Sequence, residues 1–350
     1  MNRWLAGLLC SFLAVLGSGV PLAASQMLMN GAGATFPYPI YSKWFDEYAK
    51  VDPSVRFNYQ SIGSGGGIRQ ITARTVDFGA SDGPMNDDQL RKAPGDLLHI
   101  PTVLGAVVAT YNLPGHSKLR FTPDVLADIF LGKITKWNDA RIAAANPGAS
   151  LPDQAILVVH RSDGSGTTYI WVDYLAKVSK EWEQKVGRGT SVNWPVGLGG
   201  KGNEGVAGQI KSTPGALGYV ELAYAIKNAL PAAAVRNAAG KFVEPSIETT
   251  TAAAAGLATT MPADFRVSLT NAPGDNAYPI ASFTWLLVYR DQPDETKGKA
   301  LVKFLWWMIH DGQKYTTDLL YAPLPPQVVK QIEARLGEIT YQGKPLLAAR

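Results

Sequence analysis

Apolar and polar positions along the 350-residue chain follow two periods in turn, one helical and one extended. Ile40, Tyr41, Trp44, Phe45 and Tyr48 recur at helical spacing, with Pro37 suited to a first turn. Val55, Phe57 and Tyr59 then alternate as in a strand. "GGGIRQITART" predicts a glycine-rich turn entering a helix, and "VDFGA" a short buried strand. "MNDDQLRK" predicts a helix capped by Asn86, with Gln89 three residues on to complete a capping box. The β-branched run "PTVLGAVVATYN" predicts a strand long enough to cross between domains. "FTPDVLADIFLG" predicts a helix with Thr122 as cap and Pro123 at its first position, and "AILVVH" another buried strand. "GSGTTYIWVDYLAKV" reads as a loop opening a helix whose inner face carries Tyr169, Trp171 or Val172, and Leu175. "ALGYVELAYA" and "PIASFTWLLVYRD" predict later strands or strand–helix joins, and the Ala-rich "TTTAAAAGLATT" a surface helix with its flanks. "GKALVKFLWWMIHDG" predicts an amphipathic helix far too short to span a bilayer. Strand and helix alternate throughout without an internal repeat, which predicts an α/β protein with parallel-rich sheets.

The composition sets size and compartment. A chain of 350 residues suits two domains, and 46% apolar with 18% charged residues is ordinary for a globular protein. The net charge of +4 and pI near 8.9 favour an anionic partner only weakly, and no run of Lys and Arg suits nucleic acid. At the N-terminus, Arg3 precedes the apolar run "WLAGLLCSFLAVLGSGV" and then small residues at Ala23, Ala24 and Ser25. This is the pattern of a secretory signal peptide over residues 1–24, and predicts a cleaved, exported product. The one cysteine, Cys10, lies inside that apolar run, and "GLLC" lacks the small residue that precedes a lipidated cysteine. A mature chain beginning near Ser25 or Gln26 therefore has no disulfide, no thiol nucleophile and no thiolate metal site.

Four stretches carry candidate chemistry. "GAGATFPYP" leads through Gly31 and Gly33 to Thr35 and Phe36 at a helix start, and "SIGSGGGIRQ" places Ser64 before a glycine cluster. "HRSDGSGTTY" carries Arg161 and Asp163, then Gly164, Ser165, Gly166 and Thr167 entering a helix. In these three, helix N-termini offer unpaired N–H groups, glycines admit close approach, hydroxyls add donors, and Arg161 adds a fork of donors suited to a tetrahedral oxyanion. Each alone is also ordinary turn and cap chemistry; three in one exported chain point to an oxyanion site. The fourth stretch, "DFGASDGPM", puts Ser81 and Asp82 after a short strand, and so sets a carboxylate at the mouth of an anion site. Taken on position alone, Asp82 also reads as a turn aspartate before Gly83 and Pro84.

Competing chemistries lack their motifs. "GLGGKGNEG" is not a P-loop, because Gly202 follows Lys201 and Pro195 occupies the first glycine position. Neither "IGSGG" nor "DGSGT" is a G-x-S-x-G nucleophile elbow. His99, His116, His160 and His310 are scattered without metal-ligand spacing, and no catalytic residue is assigned.

"GAGATFPYPIYSKW", "IGSGGGIRQI", "VDFGASDGPM", "RSDGSGTTY" and "GLGGKGNEGV" resemble, in order, the periplasmic phosphate-binding proteins of bacterial phosphate ABC transporters, from about Asn30 to beyond Pro325. The resemblance implies an α/β, two-lobed periplasmic-binding-protein fold (Venus flytrap, type II) with the ligand in the interdomain cleft. It implies a discontinuous first lobe, 25–105 with 275–350, and a second lobe, 106–274. The phosphate contacts it implies are the Thr35 hydroxyl, the Phe36 backbone N–H, Ser64, Asp82, Arg161, Ser165, Gly166 and Thr167, with Asp163 holding the Arg161 guanidinium. Gly65 stands where a second serine is common, and His160 where a basic residue can precede the arginine. The implied function is non-catalytic, high-affinity binding of inorganic phosphate and delivery to an inner-membrane ABC permease, by a monomer without metal or cofactor. Asp82 then has a purpose: an ionised carboxylate only accepts, so it suits phosphate, which keeps a proton at neutral pH, and opposes sulfate, which does not. The alternatives are an exported phosphatase or phosphoester hydrolase using the same anion cradle, and a secreted surface protein that has kept the fold.

Overall fold

Residues Leu97–Tyr111 form one 15-residue strand, buried at every position, and the rest of the molecule is arranged about it. The structure, a computed structural model, describes residues 26–257 and 260–347. The expected signal peptide and Cys10 lie outside the described residues.

The long strand changes partner along its length. Leu97 to Ala106 pair antiparallel with Ala281–Tyr289, and Val107 to Tyr111 pair antiparallel with Ala216–Glu221. It thereby joins two halves of one 8-stranded sheet. In the first half Met27–Gly33 lies between Val55–Ser61 and Phe78–Ser81, parallel to both. In the second Leu157–Arg161 lies between Leu198–Gly200 and Ala216–Glu221, again parallel to both. The flanks are thus the expected parallel units, whereas the centre is antiparallel. The result is the mixed α/β, two-lobed periplasmic-binding-protein fold. Strands buried on both faces read as continuous apolar runs, which is why the central segments were legible.

Most predicted elements are present. Asn86 caps Asp87–Lys92 with a complete capping box, and the apolar tail is the helix Glu295–Ile309. "ALGYVELAYA" is a strand–helix join, Ala216–Glu221 followed by Leu222–Lys227, and "TTTAAAAGLATT" begins in the helix Ile247–Ala254. Among the described residues no helix is long and apolar enough to cross a membrane.

Two local expectations are corrected. Thr122 precedes the helix Pro123–Phe130, but its hydroxyl makes no capping bond. Gly65, Gly66 and Gly67 are not a turn before the second helix; they lie inside it, since Ser64–Thr72 is helical from Ser64 onward. The reason is packing: a Cβ on Gly67 would stand 2.6 Å from Gly33 Cα and 2.7 Å from the Ala80 carbonyl oxygen. Glycine lets this helix lie directly on the strand ends that carry the site, at some cost in helix propensity.

Candidate functional site

Both parallel units end their strands toward the same place. Phe78–Ser81 delivers Asp82, Met27–Gly33 delivers Thr35 and Phe36, and Leu157–Arg161 delivers Arg161. Two helices begin there: Ser64–Thr72 from the first half, and Gly166–Val178 from the second with Ser165 as its N-cap. Ligands of open α/β sheets bind at such carboxyl ends, and helix N-termini supply positive potential.

Every residue singled out from sequence lies in or beside this cluster, and the two sides touch. Ser64 Oγ accepts the Gly166 N–H at 3.0 Å and the Asp82 N–H at 3.2 Å. Gly65 N–H donates to the Gly164 carbonyl at 2.9 Å. Gly63, at φ +86, is doubly obliged to be glycine, because a Cβ would also stand 2.3 Å from Asp163 Oδ2. Thr35, Ser64, Asp82, Arg161, Ser165 and Thr167 are all buried, so the cleft is closed.

Arg161 is fixed from both ends of its fork. Its Nε donates to Asp163 Oδ1 at 2.7 Å, its Nη2 to Asp163 Oδ2, and its Nη1 to Thr167 Oγ1 at 3.3 Å. Burial pushes the Asp163 carboxyl up, but the bonds and charge of Arg161 outweigh it and hold Asp163 below the usual range. The Gly202 N–H adds a further bond to Asp163 Oδ1 at 3.1 Å. A bidentate pair of this kind removes the torsional freedom of the guanidinium and leaves Nη1 on the site side.

Asp82 has the opposite electrostatics. Burial drives its pKa up to about 7, against the pull of the Thr284 hydroxyl, the Arg161 charge and the Ser64 hydroxyl. Thr284 Oγ1 donates to Oδ1 at 2.8 Å, whereas Ser64 Oγ reaches Oδ2 only at 3.4 Å. One oxygen is anchored and the other is left for a proton.

Backbone donors are aimed by what holds their far side. Tyr224 OH donates to the Thr35 carbonyl at 2.6 Å, and in a trans peptide the Phe36 N–H points opposite to that carbonyl. Tyr321 OH holds the Phe36 carbonyl at 2.6 Å, and the Phe36 ring packs in the core 6.2 Å from the Tyr321 ring. In the helix Gly166–Val178 the Ser165 hydroxyl takes the Thr168 N–H at 3.0 Å. Ser165 is therefore a cap as well as a member of the cluster. With Gly166 N–H on Ser64, the first-turn N–H of Thr167 is left without an intrahelical partner.

The sequence reading missed Asn203, Thr284, Tyr224, Tyr321 and Glu221. Asn203 donates through Nδ2 to both Thr35 Oγ1 and Thr167 Oγ1, at 2.8 and 3.0 Å. Its signal is present: "GGKGNEG", part of a stretch that carries the resemblance, is another glycine run at a helix start, Gly202–Ser212. Thr284 was also detectable as a polar residue inside the buried strand Ala281–Tyr289. Glu221 ends the strand beside Asn203; burial pushes its carboxyl well above the usual range, and Oε1 lacks a partner among the described residues. Tyr224 and Tyr321 carried no distinguishing pattern. His160 points away from the cluster, stacked on Trp194 at 4.7 Å, and burial foremost lowers its pKa.

Chemically the arrangement is a closed cage of N–H and O–H donors around the Arg161 cation and the buried Asp82 carboxyl, with a second buried carboxyl, Glu221, beside Asn203. Known proteins resemble the chain over most of its length. A model described as a PBP superfamily domain matches residues 21–311. The chain is 50% identical over 324 residues to the phosphate-binding protein PstS of Xylella fastidiosa (strain Temecula1), covering 91% of this chain and 88% of that one. It is 48% identical over 325 residues to the phosphate-binding protein PstS of Pasteurella multocida, covering 92% and 94%. A crystal structure of a phosphate-binding protein from Stenotrophomonas maltophilia superposes with TM-score 0.66 at 20% identity, covering 88% of this chain and 94% of that one, which shows a common fold.

Proposed function

The chain belongs to the PstS phosphate-binding proteins within the PBP superfamily, and on that premise we propose that its cleft binds inorganic phosphate without chemistry. The observation that carries this reading is the Asp82 carboxyl, buried among the donors of the cage with only one of its oxygens firmly bonded, to Thr284. The Thr35, Ser64, Ser165 and Thr167 hydroxyls, the Phe36 and Thr167 N–H groups and Arg161 give hydrogen bonds to the oxyanion, while the Gly166 N–H is held by Ser64 Oγ. Asp163 keeps Arg161 in place. Asp82 shares one proton with the ligand, which phosphate can supply near neutral pH and sulfate cannot. The carboxyl costs attraction for every anion and returns selectivity, since an unpaired buried acceptor costs about 1–3 kcal/mol.

The lobes in this reading are 25–105 with 275–350, and 106–274, with the partner switch of the long strand marking the hinge. The product is periplasmic, its signal peptide 1–24 removed, and as a monomer it hands phosphate to an inner-membrane ABC permease. An exported phosphoester hydrolase finds no support, since the relatives are named as binding proteins.

Calorimetry of the mature chain, stripped of ligand, tests the reading when run beside a chromogenic phosphoester. Stoichiometric phosphate binding without turnover is expected. Turnover, or no phosphate binding, would contradict it.

A further inference from the structure

The hydrogen bonds of Asn203 fix the direction of every group they touch. Its Oδ1 accepts the Glu221 N–H at 2.9 Å. A backbone N–H can only donate, so the oxygen end of the amide is settled and Nδ2 faces the cleft hydroxyls. Nδ2 gives one proton to Thr35 Oγ1 at 2.8 Å and the other to Thr167 Oγ1 at 3.0 Å. The Asn203 backbone N–H adds a second bond to Thr35 Oγ1 at 3.2 Å. Arg161 Nη1 adds a second to Thr167 Oγ1 at 3.3 Å.

A hydroxyl has two lone pairs and one proton. At both threonines the lone pairs meet N–H donors that cannot accept in return, so the only role left to each hydroxyl is to donate. Ser64 follows the same pattern, with Gly166 and Asp82 N–H groups at 3.0 and 3.2 Å on its oxygen. A hydroxyl without such neighbours can rotate and present a lone pair, which repels an anion. Thr35 belongs to one half of the sheet and Thr167 to the other, so one amide sets donors on both walls of the cleft.

We propose that Asn203 is a positioning residue that makes the Thr35 and Thr167 hydroxyls obligate donors to the anion, and so contributes to affinity through them rather than by touching the ligand. The proposal rests on the phosphate reading above. Asn203 is also a bridge between packed elements, and a bridge alone would stabilise the closed form whatever the hydroxyls do. The two roles separate in a coupling measurement.

The test is phosphate calorimetry on the full mature chain in four forms: parent, Asn203→Ala, Thr35→Ala with Thr167→Ala, and all three together. Asn203→Ala should weaken phosphate binding by about tenfold in the parent, the worth of roughly one neutral hydrogen bond. In the background without the two hydroxyls the same substitution should change affinity by less than about twofold. An equal loss in both backgrounds would leave Asn203 a bridge only and overturn the proposal. A parent that binds no phosphate would instead overturn the function beneath it. Should a variant not fold, or bind too weakly to titrate, the parent complex decides by NMR. Couplings through hydrogen bonds from bound 31P to both threonine hydroxyl protons are expected, and their absence with phosphate bound would overturn the proposal.

Discussion

Ser64 Oγ accepts the backbone N–H of Gly166 at 3.0 Å across 102 residues of sequence, and this bond joins the two walls of the cleft. The contact has no room to spare. A Cβ on Gly166 would stand 2.4 Å from Ser64 Oγ and 2.6 Å from Asp82 Cβ.

Gly166→Ala should therefore hold the lobes apart without harming either. Its helix begins on the open side of the cleft once the lobes separate, so thermal unfolding of the ligand-free variant should match the parent. Small-angle scattering should show compaction on adding phosphate to the parent and none in the variant. Equal compaction in both would remove this contact from the closing motion.

Arg161→Ala should cost phosphate affinity at least about a hundredfold, since charge-assisted bonds of about 1.5–3 kcal/mol each are lost. Arg161→Lys should not restore it, because a lysine cannot pair with both Asp163 oxygens and keep a third donor on Thr167. Calorimetry of the two variants checks this; recovery by lysine would reduce Arg161 to a point charge.

Asp82 makes stability depend on pH. Its pKa rises from 3.8 to about 7 in the closed cleft, where burial is complete, so the closed chain holds a proton that the unfolded chain has released. The folded state is favoured on this count below the unfolded pKa, loses that advantage as pH rises, and bears the full cost of a buried charge above the folded pKa. The loss is at most about 4 kcal/mol, between about pH 4 and pH 7. Asp82→Asn should remove that slope and be the more stable protein at about pH 8. Urea unfolding of both forms at several pH values measures it, and parallel curves would contradict it.

The same titration predicts a leak in selectivity. At about pH 5 the Asp82 carboxyl is protonated in the empty site and can donate to a fully deprotonated oxyanion. Sulfate should then displace phosphate from the parent measurably, as it should not at about pH 8. Competition calorimetry at the two pH values decides the matter, and sulfate excluded equally at both would place the selectivity outside Asp82.

The sequence made the fold and the first members of the site legible for a common reason: both are local. Apolar runs announce strands buried on two faces, and Arg161 with Asp163 and the "GSGT" cap lie within one short loop. What escaped is long-range. Tyr224 meets Thr35 across 189 residues and Thr284 meets Asp82 across 202, and no spacing announces either pair. Gly65 to Gly67 read as a turn yet lie in a helix, because glycine signals a bend and a close helix–strand approach with the same letter. Asn203 lies in a glycine stretch that is no P-loop, and its part in the site comes from a contact with Thr35 across 168 residues, which no spacing announces.

The most direct test of an anion cage selected by one carboxyl is a phosphate titration with and without sulfate, at about pH 8 and fixed ionic strength, for the parent and Asp82→Asn. In the parent, sulfate should leave the phosphate isotherm unchanged. In Asp82→Asn phosphate should still bind, altered by about tenfold at most, and sulfate should compete, because the amide can turn its nitrogen to donate. Sulfate competing in the parent, or failing to compete in the variant, would contradict the role given to Asp82.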